Sequence, residues 1–261
     1  MLRSTFIHVP GIGRESERLL WKQGCLDWKT YLDQPGEFRV GSAARETLLR
    51  ELERSEQALL DRNHQYFATK LGQLEAWRAW WDFKDACAYL DIETDGGRSA
   101  SGVTVIGIWD GREFHAYVQR ENLENFRDDF SRYALIVSFF GTGFDVPVLQ
   151  KRFKGVPFDQ LHIDLCHNLK KLGYRGGLKK IEKEFEIIRD PRIAGMNGYD
   201  AVLLWKRYLR GDQEALELLI EYNAADCINL ETLAVKSLEK MRALTLPEPV
   251  APEESPQMKL F

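Results

Sequence analysis

The sequence predicts an α/β fold, a mixed five-stranded sheet flanked by helices and preceded by a helical N-terminal extension. Three observations predict it. Three short β-patterned segments follow one another between Cys87 and Val118. A helix, a strand, a second helix and a further strand then alternate from Asn122 to Leu165. On both sides of this block, apolar residues recur at helical spacing.

The segment up to residue 35 contains Val9-Pro10-Gly11-Ile12-Gly13, followed by a helical pattern through Leu19, Leu20 and Trp21 to Gly24. Gly11 and Gly13 permit a tight turn that leaves amide N–H groups free at a helix start, an arrangement suited to a phosphate. The stretch resembles a helix-hairpin-helix element, which grips a DNA backbone without reading its sequence. Residues 1 to 8 are short and β-like for its usual first helix, so a purely structural turn is an equal alternative.

Residues 36–85 form a helical connector. Leu48, Leu49, Leu52, Leu59 and Leu60 repeat among Arg and Glu, and Asn63-His64 breaks the pattern into two helices. The second is expected to run through Tyr66, Phe67, Leu71, Leu74, Trp77, Trp80 and Trp81. Its aromatic stripe fits packing better than base stacking, as a strut between the first element and the main domain.

The main domain spans residues 86–240. Strands are expected at Ala88–Thr94, Val103–Ile108 and Glu113–Val118, the last two joined by a turn containing Asp110-Gly111. A helix is expected over Asn122–Tyr133, a buried strand over Ala134–Phe140, a helix over Phe144–Phe153 and a strand over Leu161–Leu165. Helices dominate residues 167–240. From residue 241 the chain turns rich in Pro and Glu, a composition for a flexible tail.

The chemistry centres on Ala88-Tyr89-Leu90-Asp91-Ile92-Glu93-Thr94. On a strand, Asp91 and Glu93 point to the same face. Two adjacent carboxylates repel each other unless a positive charge sits between them, and a hard divalent cation is the natural resolution. An exposed strand end with two solvated acids is the competing reading. Asp145 opens a helix after a strand and a glycine turn, and Asp226 follows Tyr222 by four residues on one helix face. Singly, these two look like a cap and a surface pair; together with Asp91 and Glu93 they form a set.

In that order, Leu90-Asp91-Ile92-Glu93-Thr94, Phe140-Gly141-Thr142-Gly143-Phe144-Asp145 and Tyr222-x-x-x-Asp226 resemble the three exonuclease motifs of the DEDD superfamily, which has a ribonuclease H-like fold. With Trp77-Arg78, His162-Ile163-Asp164-Leu165 and Tyr222-Asn223, the chain looks like the YprB-like branch over about residues 77 to 235. The second motif departs: Phe140-Gly141 stands where members commonly have Asn-Gly. The resemblance implies a 3′→5′ exonuclease using two Mg²⁺ or Mn²⁺ ions, held by Asp91, Glu93, Asp145 and Asp226, with Asp91 bridging them. Tyr222 would orient the attacking water, because the position used by the histidine subgroup is Glu221 here. Asp164, one strand over, is expected either to support the ligands from behind or to be structural, outside the metal set.

Composition narrows the partners. The 261 residues carry a formal net charge of −4, so any nucleic-acid surface must be local. Lys151, Arg152, Lys154, Lys170, Lys171, Arg175, Lys179, Lys180 and Lys183 crowd one half of the domain, either as a phosphate-binding patch or as solvated helix faces. Arg175, Lys179 and Lys180, around a glycine turn, are the best local candidates. The four cysteines form no C-x-x-C pair, against zinc and in favour of reduced thiols; no run is long enough for a membrane span. A soluble cytoplasmic protein is expected. The last residues, Gln257-Met258-Lys259-Leu260-Phe261, resemble the peptide by which bacterial replication and repair proteins bind the sliding clamp, with Gln257, Leu260 and Phe261 as its anchors. The leading expectation is therefore a DNA exonuclease acting at single-stranded 3′ ends, in DNA repair. An exoribonuclease and a non-catalytic clamp-binding adaptor are the alternatives.

Overall fold

The computed structural model describes residues 1–97 and 99–247. Its N-terminal part is a helical lobe built from α1 (Arg14–Lys22), α2 (Trp28–Asp33), α3 (Ser42–Leu60), α4 (His64–Lys70) and α5 (Trp80–Phe83). Side-chain caps set two of these starts. Asp27 accepts the Thr30 N–H at 2.8 Å, and Asn63 accepts the Tyr66 N–H at 3.0 Å.

The Asn63 break falls where the pattern predicts it, but the helix after it does not reach Trp81. Leu71 leaves α4 in an extended conformation, Gly72 follows, and the chain resumes as a 3₁₀ turn at Ala76–Ala79 before α5. Gly72 is a poor helix former. The break also buries Leu71, Trp77, Arg78 and Trp80, which would not share one face of a straight helix. Before Gly11 there is only a 3₁₀ turn, Leu2–Ser4, so the Pro10–Gly13 turn has a full helix on its C-terminal side alone. Thr5, Phe6, Val9 and Leu2 are buried in the lobe instead.

The sheet comprises β1 (Cys87–Thr94), β2 (Val103–Trp109), β3 (Phe114–Val118), β4 (Leu135–Ser138) and β5 (Leu161–Asp164), in the order β3-β2-β1-β4-β5. Strand β2 is antiparallel to β1 and β3, whereas β4 is parallel to β1 and β5. The expected helix over Asn122–Tyr133 is three short turns: 3₁₀ at Leu123–Asn125, α6 (Phe126–Asp129) and 3₁₀ at Phe130–Arg132. Asn122 explains its start, because its side chain accepts the Val118 N–H and donates to the Ala116 carbonyl, folding the chain back on β3.

The remaining helices are α7 (Asp145–Arg152), α8 (Leu165–Lys171), α9 (Leu178–Glu184), α10 (Gly198–Tyr208) and α11 (Gln213–Thr245). Helix α11 continues through Thr245, past the point where a flexible tail was expected to begin. The sequence carries Leu238 and Met241 onto its buried face, so packing holds the last turns.

Alternation along β1 divides the core. Ala88, Leu90 and Ile92 pack with Phe126, Phe130, Val148 and Phe153 on one face. Cys87 and Tyr89 point the other way, into a core that runs without interruption from Leu2, Trp28 and Trp77 to Leu230, Leu233 and Leu238 of α11. The helical lobe and the sheet thus share one core. Asp91 and Glu93 continue the Cys87–Tyr89 side to the end of the strand, where the apolar cover gives out.

Candidate metal centre and active site

Three acids meet at that strand end. Carboxylate oxygens of Asp91, Glu93 and Asp226 all lie within 4.8 Å of one another. Strand alternation places the first two, and α11 crosses the sheet so that Asp226 faces them. The close approach depends on Gly107 of β2, paired with Asp91 across the ladder. A Cβ there would overlap Asn223 Oδ1 and stand 2.9 Å from Cys227 Sγ. The space lets Asn223 Nδ2 donate to Asp91 Oδ2 at 3.0 Å, fixing the carboxylate.

Asp145 begins α7 and is 5% exposed. Its Oδ1 accepts the Ile92 N–H at 3.2 Å, so it lies beside β1 but outside the three-acid cluster. Asp91, Glu93, Asp145, Tyr222 and Asp226 together line one open cleft of about 280 Å³, with Ile92, Phe139, Phe140, Phe144 and Gly198 as the rest of its wall. The expected acids and tyrosine are brought to one place.

The loop between β4 and α7 is held by another acid. Asp164, 2% exposed, accepts the Phe140 N–H at 2.8 Å, the Thr142 N–H at 3.1 Å and the Cys166 N–H at 3.1 Å. With the Thr142 hydroxyl, which also donates to it, these bonds make Asp164 the shaper of the loop that presents Asp145, outside the lining of the cleft.

Crowding raises the proton affinity of the acids. Removal from water and the charges of Asp226, Glu93 and Asp145 push Asp91 well above the usual carboxylate range. Burial and Asp226 raise Glu93 to about 8. Burial is also the main reason Asp145 rises to about 7. Burial, with Asp226, Glu93 and Asp91, raises the Tyr222 phenol too, so it stays protonated. These are carboxylates short of positive charge, and their donor set is hard oxygen throughout. That chemistry fits a divalent cation such as Mg²⁺ or Mn²⁺.

The pattern of the sequence did not disclose the cations already present. Lys179 from α9 pairs with Asp226 and sits 4.5 Å from the Tyr222 ring centre. Arg189, 5% exposed, pairs with Asp226 and donates through Nε to Glu182 at 2.7 Å. Lys179, expected as a phosphate contact, lies within the acidic centre. Arg189 and Glu182 belong to no motif of the sequence. Lys179 and Glu182 show in the sequence as charges at helical spacing ahead of an isolated arginine, and Asn223 only as the neighbour of Tyr222.

Three of the other basic residues have partners of their own. Lys180 faces Glu184 at 3.9 Å, Arg152 pairs with Glu124, and Lys171 donates to the Leu74 carbonyl at 2.7 Å and faces Glu75. Arg175 is exposed and lines a separate small cavity with Cys166, Tyr174 and Ile181. Gly11, at φ 84°, and Gly13, the residue before α1, line an open groove with His8, Thr69 and Lys70, away from the acidic cleft. Gln257, Leu260 and Phe261 lie outside the described residues. Among the described residues, no helix is long and apolar enough to cross a membrane.

A central strand with two acids at its end, an antiparallel neighbour on one side, a parallel one on the other and a helix bringing a third acid define an RNase H-like α/β protein with a cation-suited cleft. The family profile of the RNase H superfamily matches residues 88–238, more than half of the chain, and the chain belongs to that superfamily. A search of curated proteins returned no match. Membership points to a hydrolytic nuclease, and RNase H-like nucleases use divalent metals.

Proposed function

We propose that the protein is a DEDD-type, two-metal 3′→5′ exonuclease that hydrolyses DNA from single-stranded 3′ ends. The observation that carries this reading is the convergence of Asp91, Glu93 and Asp226, with Asp145 and Tyr222 on the same cleft. The 3′→5′ direction and the preference for DNA rest on the motif resemblance. Asp91, Glu93 and Asp226 would hold one cation, and Asp145 would complete the set for a second. Bound, such ions polarise a phosphoryl oxygen and make a nucleophile of water at neutral pH.

The chain's own residues do the rest. Asn223 orients the Asp91 carboxylate. Tyr222 keeps its proton and so offers a hydroxyl, not an anion, to the attacking water. Lys179 and Arg189 carry fixed positive charge into the centre, where it opposes the charge that builds on the phosphate during displacement. The cleft is open, as a polymer chain threading through it requires.

Digestion of 5′- and 3′-labelled DNA and RNA strands with Mg²⁺ or Mn²⁺ tests the reading. Wild type should shorten DNA from its 3′ end, and Asp91→Ala and Asp226→Ala should not. Preferential loss of RNA would make it an exoribonuclease, and inert wild type across the panel would favour the adaptor. Clamp binding through Gln257–Phe261 is a separate proposal from sequence alone. Deleting residues 257 to 261 should abolish binding to a bacterial sliding clamp and leave digestion of free oligonucleotides intact; undiminished clamp binding refutes it.

A further inference from the structure

Phe140 combines three properties that folding alone does not favour. The residue is 54% exposed. Its backbone sits at φ 63°, in the left-handed region where a bulky side chain is strained and Asn or Gly is at ease. It also lines the acidic cleft beside Asp91, Glu93 and Asp226. Strain of this kind persists only where the surroundings impose it.

The surroundings do impose it. Asp164 holds the Phe140 N–H at 2.8 Å, and the Phe140 carbonyl accepts the Gly143 N–H at 3.1 Å. A Cβ on Gly143 would come within 2.9 Å of the Phe140 ring, so the ring lies directly against that glycine. A Cβ on Gly141 would overlap Ser138 Oγ. The loop is therefore built to hold one phenyl ring in a fixed place with much of its surface open. Among the described residues, that ring pairs with no other aromatic ring and lies under no cation.

We infer that Phe140 is a stacking platform for the base of the nucleotide held in the cleft. The inference rests on the nuclease reading above and names the part of the substrate that the acids do not contact. An aromatic face accepts any base, so the platform confers no sequence preference, only a preference for a base that is free to leave its neighbours. A base inside a duplex has both faces covered by its neighbours and must unstack before it meets the ring. Single-stranded and frayed ends follow as the favoured substrates.

The test uses oligonucleotides identical except for a 3′-terminal adenine, thymine or abasic residue, with two readouts. The first is anisotropy of labelled strands binding in Ca²⁺; the second is KM and kcat for cleavage in Mg²⁺ or Mn²⁺. Wild type should bind base-bearing ends about ten-fold or more tightly than abasic ones. Phe140→Ala should lose that discrimination through a raised KM for base-bearing ends, and Phe140→Trp should keep it. Phe140→Asn should lose discrimination while its melting temperature stays level or rises, because Asn suits the left-handed backbone. A merely structural ring would not separate the two in this way. Equal binding of base-bearing and abasic ends by wild type, or discrimination that survives Phe140→Ala, overturns the platform. Base discrimination in binding without any cleavage supports the platform and refutes the nuclease reading.

Discussion

Where the helical lobe meets the sheet, Arg78 is 2% exposed and lies between two acids. Its Nη1 donates to both oxygens of Glu17 at 3.0 Å, and its Nε donates to Glu75 at 2.8 Å. Glu17 also accepts the Phe6 N–H at 2.7 Å, and Glu75 meets Arg14 and Lys171 as well. Here each acid has a cation, and Glu17 accepts backbone N–H groups as well. At the end of β1, by contrast, Asp91, Glu93, Asp145 and Asp226 line one cleft where, among the described residues, the only ion pairs run from Lys179 and Arg189 to Asp226, and Arg189 is shared with Glu182. The first cluster is complete as folded; the second is short of positive charge. Buried charge that is balanced reports on structure, and buried charge that is unbalanced reports on a ligand.

Mutating each cluster should separate the two roles. Arg78→Met leaves Glu17 buried without its counter-charge and should cost about 3–5 kcal/mol of stability, read as a lower midpoint in urea. Asp91→Asn should do the opposite: in EDTA its melting temperature stays level or rises, because one member of a repelling set is gone. Its metal-dependent nuclease rate should fall on the order of 10³-fold or more. A large loss of stability in Asp91→Asn would erase the contrast.

Next in size is Gly107→Ala. Its methyl would overlap Asn223, so about 1–3 kcal/mol of stability should be lost through overpacking. Activity should fall with it, since a displaced Asn223 no longer holds Asp91.

A smaller effect is expected from pH. Glu93, ordinarily near 4.5, is raised to about 8, so the folded state binds its proton more tightly than the unfolded chain. That contribution is fully present below pH 4.5 and lost as pH rises through about 8. Buried His8 and His162 are both lowered to about 4 and affect stability only as pH falls below their ordinary 6.5. Between pH 6.5 and 8.5 the acids therefore dominate. The melting temperature in EDTA should drop by a few degrees over that range, and saturating Mg²⁺ should remove the drop. Smallest is Lys179→Met: removing a charge that lowers the pKa of Asp91 and Glu93 should move the acid limb of the pH–activity profile to higher pH.

Much of this contrast was legible in the sequence, for reasons particular to each residue. Asp91 and Glu93 are fixed by the two-residue period of a strand, and Tyr222 and Asp226 by the four-residue step of a helix. Both relations are local. The five strands were legible for the same reason. Balance, however, is a tertiary property. Arg78 sits 61 positions from Glu17, and Arg189 37 from Asp226, and no period links either pair. Lys179 was visible as a charge, but whether it faced solvent or Asp226 depended on how α9 docks against α11. The broken helices at Leu71–Glu75 and Asn122–Tyr133 escaped because burial of Arg78 and of Phe126 outweighed a continuous helical pattern.

The central claim is that the unbalanced cluster is a divalent-cation site. Calorimetric titration of Mn²⁺ into wild type, Asp226→Asn and the double variant Glu93→Gln/Asp226→Asn measures it without reference to any substrate. Wild type should bind Mn²⁺ with release of protons and a rise in melting temperature; the single variant should bind weakly and the double variant not at all. Equal Mn²⁺ binding by wild type and the double variant, or none by wild type, would contradict the account.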